Sequence, residues 1–251
     1  MPVLGLRPLV AAIAFLTRVP VRRAGGPAPP LDMVAAAPLF PLVGAAIGVA
    51  VGATAVLLTP MLSPLLAASL AVALELALTG ALHVDALADS ADGLGGHDRE
   101  HSLAIMRDHS LGAYGAAALT LDLLAKTAAL ATLAEHDLVL PVIAAYAISR
   151  AAPLPLAASL PYARTEDGTG RTLADCLRKR WAFAGVLLAA VIAIAATGPQ
   201  AGATLACLLL TTTVVGALAR RRTGGVTGDT MGAATELTAT LALIVAAGLA
   251  P

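Results

Sequence analysis

The chain has 251 residues, of which 58% are hydrophobic and 13% charged, with a mean hydropathy of +0.84. Soluble domains run near ~45–50% apolar and ~25% charged, so a soluble globular protein is excluded and an all-α, polytopic integral membrane helix bundle over residues 1–251 is expected. Sixteen basic and sixteen acidic residues cancel, which leaves no positive excess to suggest nucleic acid as a partner.

The first sixteen residues hold one arginine, Arg7, and an apolar run, followed by Arg18, Arg22 and Arg23 without a small-residue cleavage site. This reads as a retained, short interfacial or re-entrant helix rather than a signal peptide. Beyond the Gly/Pro-rich stretch 25–30, largely apolar runs at 34–58, 62–82, 111–134, 138–160, 181–198, 201–219 and 231–250 have about the length a membrane span needs, giving about seven spans. Alternating them puts 1–33, 83–110, 161–180 and 220–230 on one side, and these segments hold nearly all the basic residues. By the positive-inside rule that side is the cytoplasm. Cys176 and Cys207 lie in a basic loop and an apolar run, and neither their number nor their spacing suggests a disulfide framework or a zinc site.

With so few charges, the stretch from Gly80 to Gly96 stands out, because it carries Asp85, Asp89 and Asp92 at i, i+4 and i+7. On a helix these carboxylates share a ~60° arc and lie roughly 6 and 10 Å apart along the axis, so they repel unless a cation relieves them. Mg²⁺ suits such a site, since it binds a few carboxylates and completes its shell with water and phosphate oxygens. His83 falls on the other side of that helix, where packing or hydrogen bonding is the simpler role. Asp108 or Ser110 can cap the third span.

A second candidate is the loop from Gly224 to Gly232, with Gly225, Gly228, Asp229 and Thr230 entering the last span behind Arg220, Arg221 and Arg222. Its backbone N–H groups can hold phosphate oxygens, but it lacks the spacing of a nucleotide P-loop. Within the spans, Asp122 and Lys126 are four apart and are expected to neutralise one another. Glu75, Arg150 and Glu236 either line a common cavity or pair between helices.

The stretch His83-x-Asp85-x₃-Asp89-x₂-Asp92-Gly93-Leu94-Gly95-Gly96, with Ile105 to Asp108, Gly112 to Gly115 and Gly228 to Ala233, resembles the adenosylcobinamide-GDP ribazoletransferase (cobalamin 5′-phosphate synthase) family. Phe15 to Pro20, Pro161 to Arg164 and Glu236 also match in order. Ala86 departs from the family pattern, which usually has Gly there, and so does His109-Ser110.

The resemblance implies a single membrane-embedded catalytic domain that joins α-ribazole, or its 5′-phosphate, to adenosylcobinamide-GDP with release of GMP. It implies Mg²⁺ held by Asp85, Asp89 and Asp92, with Asp89 or Asp92 as base and Arg107 on the diphosphate. His83, Arg18, Arg107, Gly225, Gly228, Asp229 and Thr230 become the substrate-binding candidates. The implied setting is the bacterial cytoplasmic (inner) membrane, with the site facing the cytoplasm, the lipid bilayer as partner and a homo-oligomer left open. Two rivals remain. A CDP-alcohol phosphotransferase would need Asp-x₂-Asp-Gly followed by Gly-x₃-Asp-x₃-Asp. A divalent-cation transporter or channel would use Asp85, Asp89, Glu75 and Glu236 as its pathway.

Overall fold

The computed structural model describes residues 6–21, 30–108, 110–165 and 169–251. Arg22, Arg23 and His109 lie outside them. Helices dominate: α1 Leu6–Leu16, α2 Pro30–Ala36, α3 Phe40–Leu58, α4 Pro64–Thr79, α5 Leu82–Gly93, α6 Arg99–Ile105 and α7 Ala113–Glu135. There follow α8 Val139–Ser149, α9 Pro153–Ser159, α10 Thr169–Cys176, α11 Lys179–Thr197, α12 Ala201–Arg222 and α13 Gly228–Gly248. Among the described residues the sole β pairing is an isolated parallel bridge between Tyr162 and Val226.

Among the described residues five helical stretches are long and apolar enough to cross a membrane, at Met33–Leu58, Ala113–Glu135, Val139–Ser159, Lys179–Arg222 and Gly228–Gly248. A sixth arises if α4 and α5, bent by 89° at their junction, are taken together. The expected count of about seven differs in treating 181–198 and 201–219 separately. Those two helices do double back. A Cβ on Gly185 would meet Leu154 and one on Gly216 would meet Leu156, both on α9, whereas 31 residues of continuous helix would set the two glycines ~46 Å apart. The reversal falls at Gly198, where φ is +55°. Large apolar side chains such as Leu57, Leu121, Phe183 and Leu209 stay more than 60% exposed, which suits a surface that faces lipid rather than water.

Small residues set the closest helix packing. Gly44, Gly48 and Gly52 recur every fourth residue on α3, and added Cβ atoms would run into Tyr146, Ile143 and Val142 of α8. Apolar solvent gives no hydrophobic drive between helices, so a small-residue seam that lets two backbones touch is what joins them. Gly232 of α13 likewise abuts Ala86 of α5.

The α4–α5 break is locally encoded. Gly80 ends α4 in the left-handed region at φ +63°, and Ala81 follows at φ +56°. The Arg18 backbone N–H donates to Leu78 O over 2.7 Å, while its side chain lies against Gly80.

Between the helices lies a buried ionic cluster. Lys126 Nζ sits 3.1 Å from Glu75 Oε2 and also pairs with Glu236 Oε1. Tyr146 donates its hydroxyl to Glu75 Oε2 over 2.6 Å, and Arg150 stands 3.7 Å from Glu75 Oε1. The expected Asp122–Lys126 pair within α7 is therefore replaced. Lys126 serves carboxylates on α4 and α13, and Asp122 accepts the Thr240 hydroxyl at 2.7 Å. Interhelical partners win because a lysine side chain can reach across a helix interface, and two buried carboxylates left unpaired would cost far more than the local pair contributes.

Candidate functional site

The motif carboxylates lie on α5, as expected, but separate along it: Asp85 is exposed, Asp89 half-buried and Asp92 buried. Asp92 faces the start of α7. Its Oδ2 accepts the Gly112 N–H and its Oδ1 the Gly115 N–H, both at 2.8 Å. It thus caps the first turn of α7 with two backbone donors. Both glycines are required by contact, because a Cβ on either would collide with the Asp92 carboxylate. These two bonds give Asp92 a structural role at the start of α7, and each oxygen keeps a further lone pair.

Asp229 joins the carboxylates of α5. Asp89 feels the charges of Asp85, Asp229, Arg164 and Asp92, and Asp229 feels Arg164 and Asp85. Arg164 Nη2 lies 2.7 Å from Asp229 Oδ2. This juxtaposition depends on the Tyr162–Val226 bridge, in which Val226 N–H donates to Pro161 O at 2.9 Å and Ala163 N–H to Val226 O at 2.8 Å. Gly225 allows the approach, because a Cβ there would strike the Pro161 carbonyl. Half-burial pushes the Tyr162 phenol above its usual range; Arg164 opposes this and Asp229 adds to it. Among the described residues Arg164 Nε is buried with no hydrogen-bond partner, an orphan donor beside the ion pair.

Two cavities flank the Arg164–Asp229 pair. One, of about 590 Å³, is lined by Asp98, Arg99, Glu100, Arg107, Arg164 and Thr165 among others. Three guanidiniums in one groove suit an anion such as a diphosphate, through charge-assisted hydrogen bonds. The other, of about 240 Å³, has largely apolar walls with His83, Asp85, Gly228 and Asp229 among its lining residues. His83 and Asp85 therefore share a cavity, although helical angles put them on different faces, because α13 and the N-terminal helices close over that end of α5.

The remaining candidates divide. Gly228 has open space where a Cβ would stand, so its backbone is approachable. Thr230 forms a reciprocal capping box with Thr227, its hydroxyl accepting the Thr227 N–H at 2.8 Å; this hydroxyl is spent on starting α13. Arg18 lies at the α4–α5 break. Arg164 was the residue that sequence reasoning passed over, since basic residues on that side are explained by topology alone. Among the described residues no three His, Cys, Asp or Glu side chains are arranged to hold a metal ion.

Comparison with known proteins places these residues in a lineage. Residues 8–247 match the family model described as cobalamin-5-phosphate synthase. A protein of Leptothrix cholodnii named adenosylcobinamide-GDP ribazoletransferase is 41% identical over 90% of this chain and 89% of its own. Proteins of the same name from Pseudomonas fluorescens and Pseudomonas entomophila are 39% and 41% identical, each over 97% of this chain and 98% of its own. No solved structure matches the chain. A family match across nearly the whole length, with relatives near 40% identity along it, means that the chain belongs to the cobalamin-5-phosphate synthase family.

Proposed function

We propose that this protein is a membrane-embedded adenosylcobinamide-GDP ribazoletransferase, a single catalytic unit that joins ribazole to adenosylcobinamide-GDP in cobalamin synthesis. The observation that carries the reading is the meeting of Asp85 and Asp89 from α5 with Asp229 and Arg164, between an arginine-lined groove and an apolar cavity. That arrangement suits phosphoryl transfer, which depends mainly on positioning and charge neutralisation.

In the reaction a ribose hydroxyl of the acceptor attacks the cobinamide-linked phosphorus of the donor. A new P–O bond forms, the bond from that phosphorus to the bridging oxygen breaks, and GMP departs with the bond electrons. Asp89 is the group to take the hydroxyl proton, since Asp92 is held by two backbone N–H groups. Arg107 and Arg99 in the groove hold the diphosphate, and the Arg164 guanidinium, which also lines it, adds positive charge beside the reacting phosphoryl group. Gly228 gives the acceptor sugar close access to the backbone.

Mg²⁺ belongs to the same proposal. Asp85 and Asp89, one turn apart on α5, would hold it, and because Mg²⁺ needs only one or two protein carboxylates the pair suffices without a third. When bound, the ion would neutralise charge on the phosphates and on departing GMP. The setting proposed is the bacterial inner membrane, with the arginine groove on the cytoplasmic face, as the positive-inside distribution suggests. A homo-oligomer is compatible with this reading.

The test is GMP release by purified protein in lipid nanodiscs. The proposal expects GMP from adenosylcobinamide-GDP only when both ribazole and Mg²⁺ are supplied. Release without ribazole, or none with all three present, overturns it.

A further inference from the structure

The apolar cavity has features that phosphoryl transfer alone does not require. Phe15 of α1 and Phe40 of α3 stack in its wall with ring centroids 5.6 Å apart at 24°. His83, which also lines it, is 5% exposed, and its ring makes no hydrogen bond to another described residue. Its ring nitrogens are not among the fully buried polar atoms left without a partner, so the imidazole is open to a hydrogen bond from a group in the cavity. The remaining polar side chains of the lining are Asp85 and Asp229, which belong to the carboxylate site, and Thr235, whose hydroxyl donates to Met231 O.

We infer that this cavity seats the aromatic base of the acceptor, a benzimidazole riboside, with the flat base against the Phe15–Phe40 wall and its one free ring nitrogen hydrogen-bonded to His83. The sugar then points towards Asp85, Asp229 and the open backbone at Gly228. The inference rests on the activity proposed above and assigns one substrate of that site to one cavity.

Size and polarity both favour this occupant. A closed apolar cavity of ~150 Å³ holds a benzene ring, so about 240 Å³ accommodates a two-ring base but excludes a corrin macrocycle. Guanine, the other aromatic base in the reaction, presents a carbonyl, a ring N–H and an amino group along one edge. With Asp85 and Asp229 given to the sugar, the rest of the lining offers His83 and the Thr235 hydroxyl, which already donates to Met231 O, so most of guanine's polar groups would be left unpaired. Benzimidazole carries one such atom, and an offset-stacked aromatic contact adds to its burial. The diphosphate of the donor belongs on the other side of Arg164, with the arginine groove.

Equilibrium binding of α-ribazole to the full-length protein in nanodiscs, without donor, tests the assignment. His83→Leu should weaken binding about tenfold, the loss of one buried hydrogen bond, while His83→Gln, which restores a donor, should recover most of it. Phe15→Leu should also weaken it, and serves as the second variant if His83→Leu lowers the melting temperature. In turnover the His83 and Phe15 variants should raise KM for ribazole and leave KM for adenosylcobinamide-GDP within about twofold. Unchanged ribazole binding in both His83→Leu and Phe15→Leu overturns the inference, as does displacement of bound ribazole by GMP at the same cavity. Ribazole that binds through His83 while no GMP is ever released leaves the cavity assignment standing and refutes the proposed activity instead.

Discussion

Arg164 donates to Asp229 over 2.7 Å, and this contact joins the loop after α9 to the first turn of α13 at the boundary between the two cavities. The pair is only partly exposed, at 16% and 21%, so it is screened less than a surface ion pair. Replacing Arg164 with Met removes the positive charge beside the carboxylates and the orphan Nε donor together. Turnover should fall by about 10²–10³, the usual loss for one preorganised donor to a transferring group. Arg164→Lys should remain well below wild type, because a point charge cannot reproduce the guanidinium fork. GMP release in nanodiscs measures both.

Asp92 and Asp89 should respond differently to the same change. Asp92→Ala leaves two N–H groups at the start of α7 without acceptors and should cost about 1–3 kcal/mol, read as a lower melting temperature. Asp89→Asn should leave the melting temperature near wild type and remove activity. Thermal unfolding in nanodiscs alongside GMP release separates the two carboxylates.

The buried cluster makes a third prediction. Lys126→Met strands Glu75 and Glu236 and should destabilise the protein by about 3–5 kcal/mol, the range for breaking a buried pair. Adding Glu75→Gln and Glu236→Gln should recover much of that loss, since a neutral cluster no longer buries unpaired charge. Recovery by those second-site changes, followed by thermal unfolding, distinguishes charge burial from a packing defect.

Helix packing gives a fourth. Gly44→Val places a branched side chain where a single Cβ would already strike the Tyr146 carbonyl, so α3 and α8 must separate. The variant should accumulate poorly in membranes, while Gly202→Val, at a glycine with open space around it, should accumulate normally. Membrane-fraction immunoblotting compares them.

These outcomes bear on what the chain reveals before it folds. The membrane character, the acidic motif on one helix and the Gly228–Asp229 loop were legible, because each is written in composition or in short spacing. Lys126 was misassigned to Asp122 because helical spacing shows only neighbours on the same helix, whereas its partners lie 51 and 110 residues away. Angular position groups Asp92 with Asp85 and Asp89 but carries no information about the backbone donors on α7 that Asp92 also serves. Arg164 was hidden by a sufficient topological explanation. The 89° break at Gly80 and Ala81 was invisible to hydropathy, which reads straight through it.

Metal dependence separates Asp85 from the rest. Chelation should abolish GMP release and Mg²⁺ should restore it. Asp85→Asn should then need about tenfold more Mg²⁺ for half-maximal rate, as one charged ligand becomes neutral. Titrating Mg²⁺ against initial rate checks this, and an unshifted midpoint removes Asp85 from the ion's shell.

The most direct measurement is single-turnover GMP release from adenosylcobinamide-GDP with saturating ribazole and Mg²⁺, comparing wild type with Asp89→Asn. The account predicts release by wild type and a rate about 10²–10⁴ lower in Asp89→Asn, with donor binding retained. Equal rates in the two proteins would contradict it.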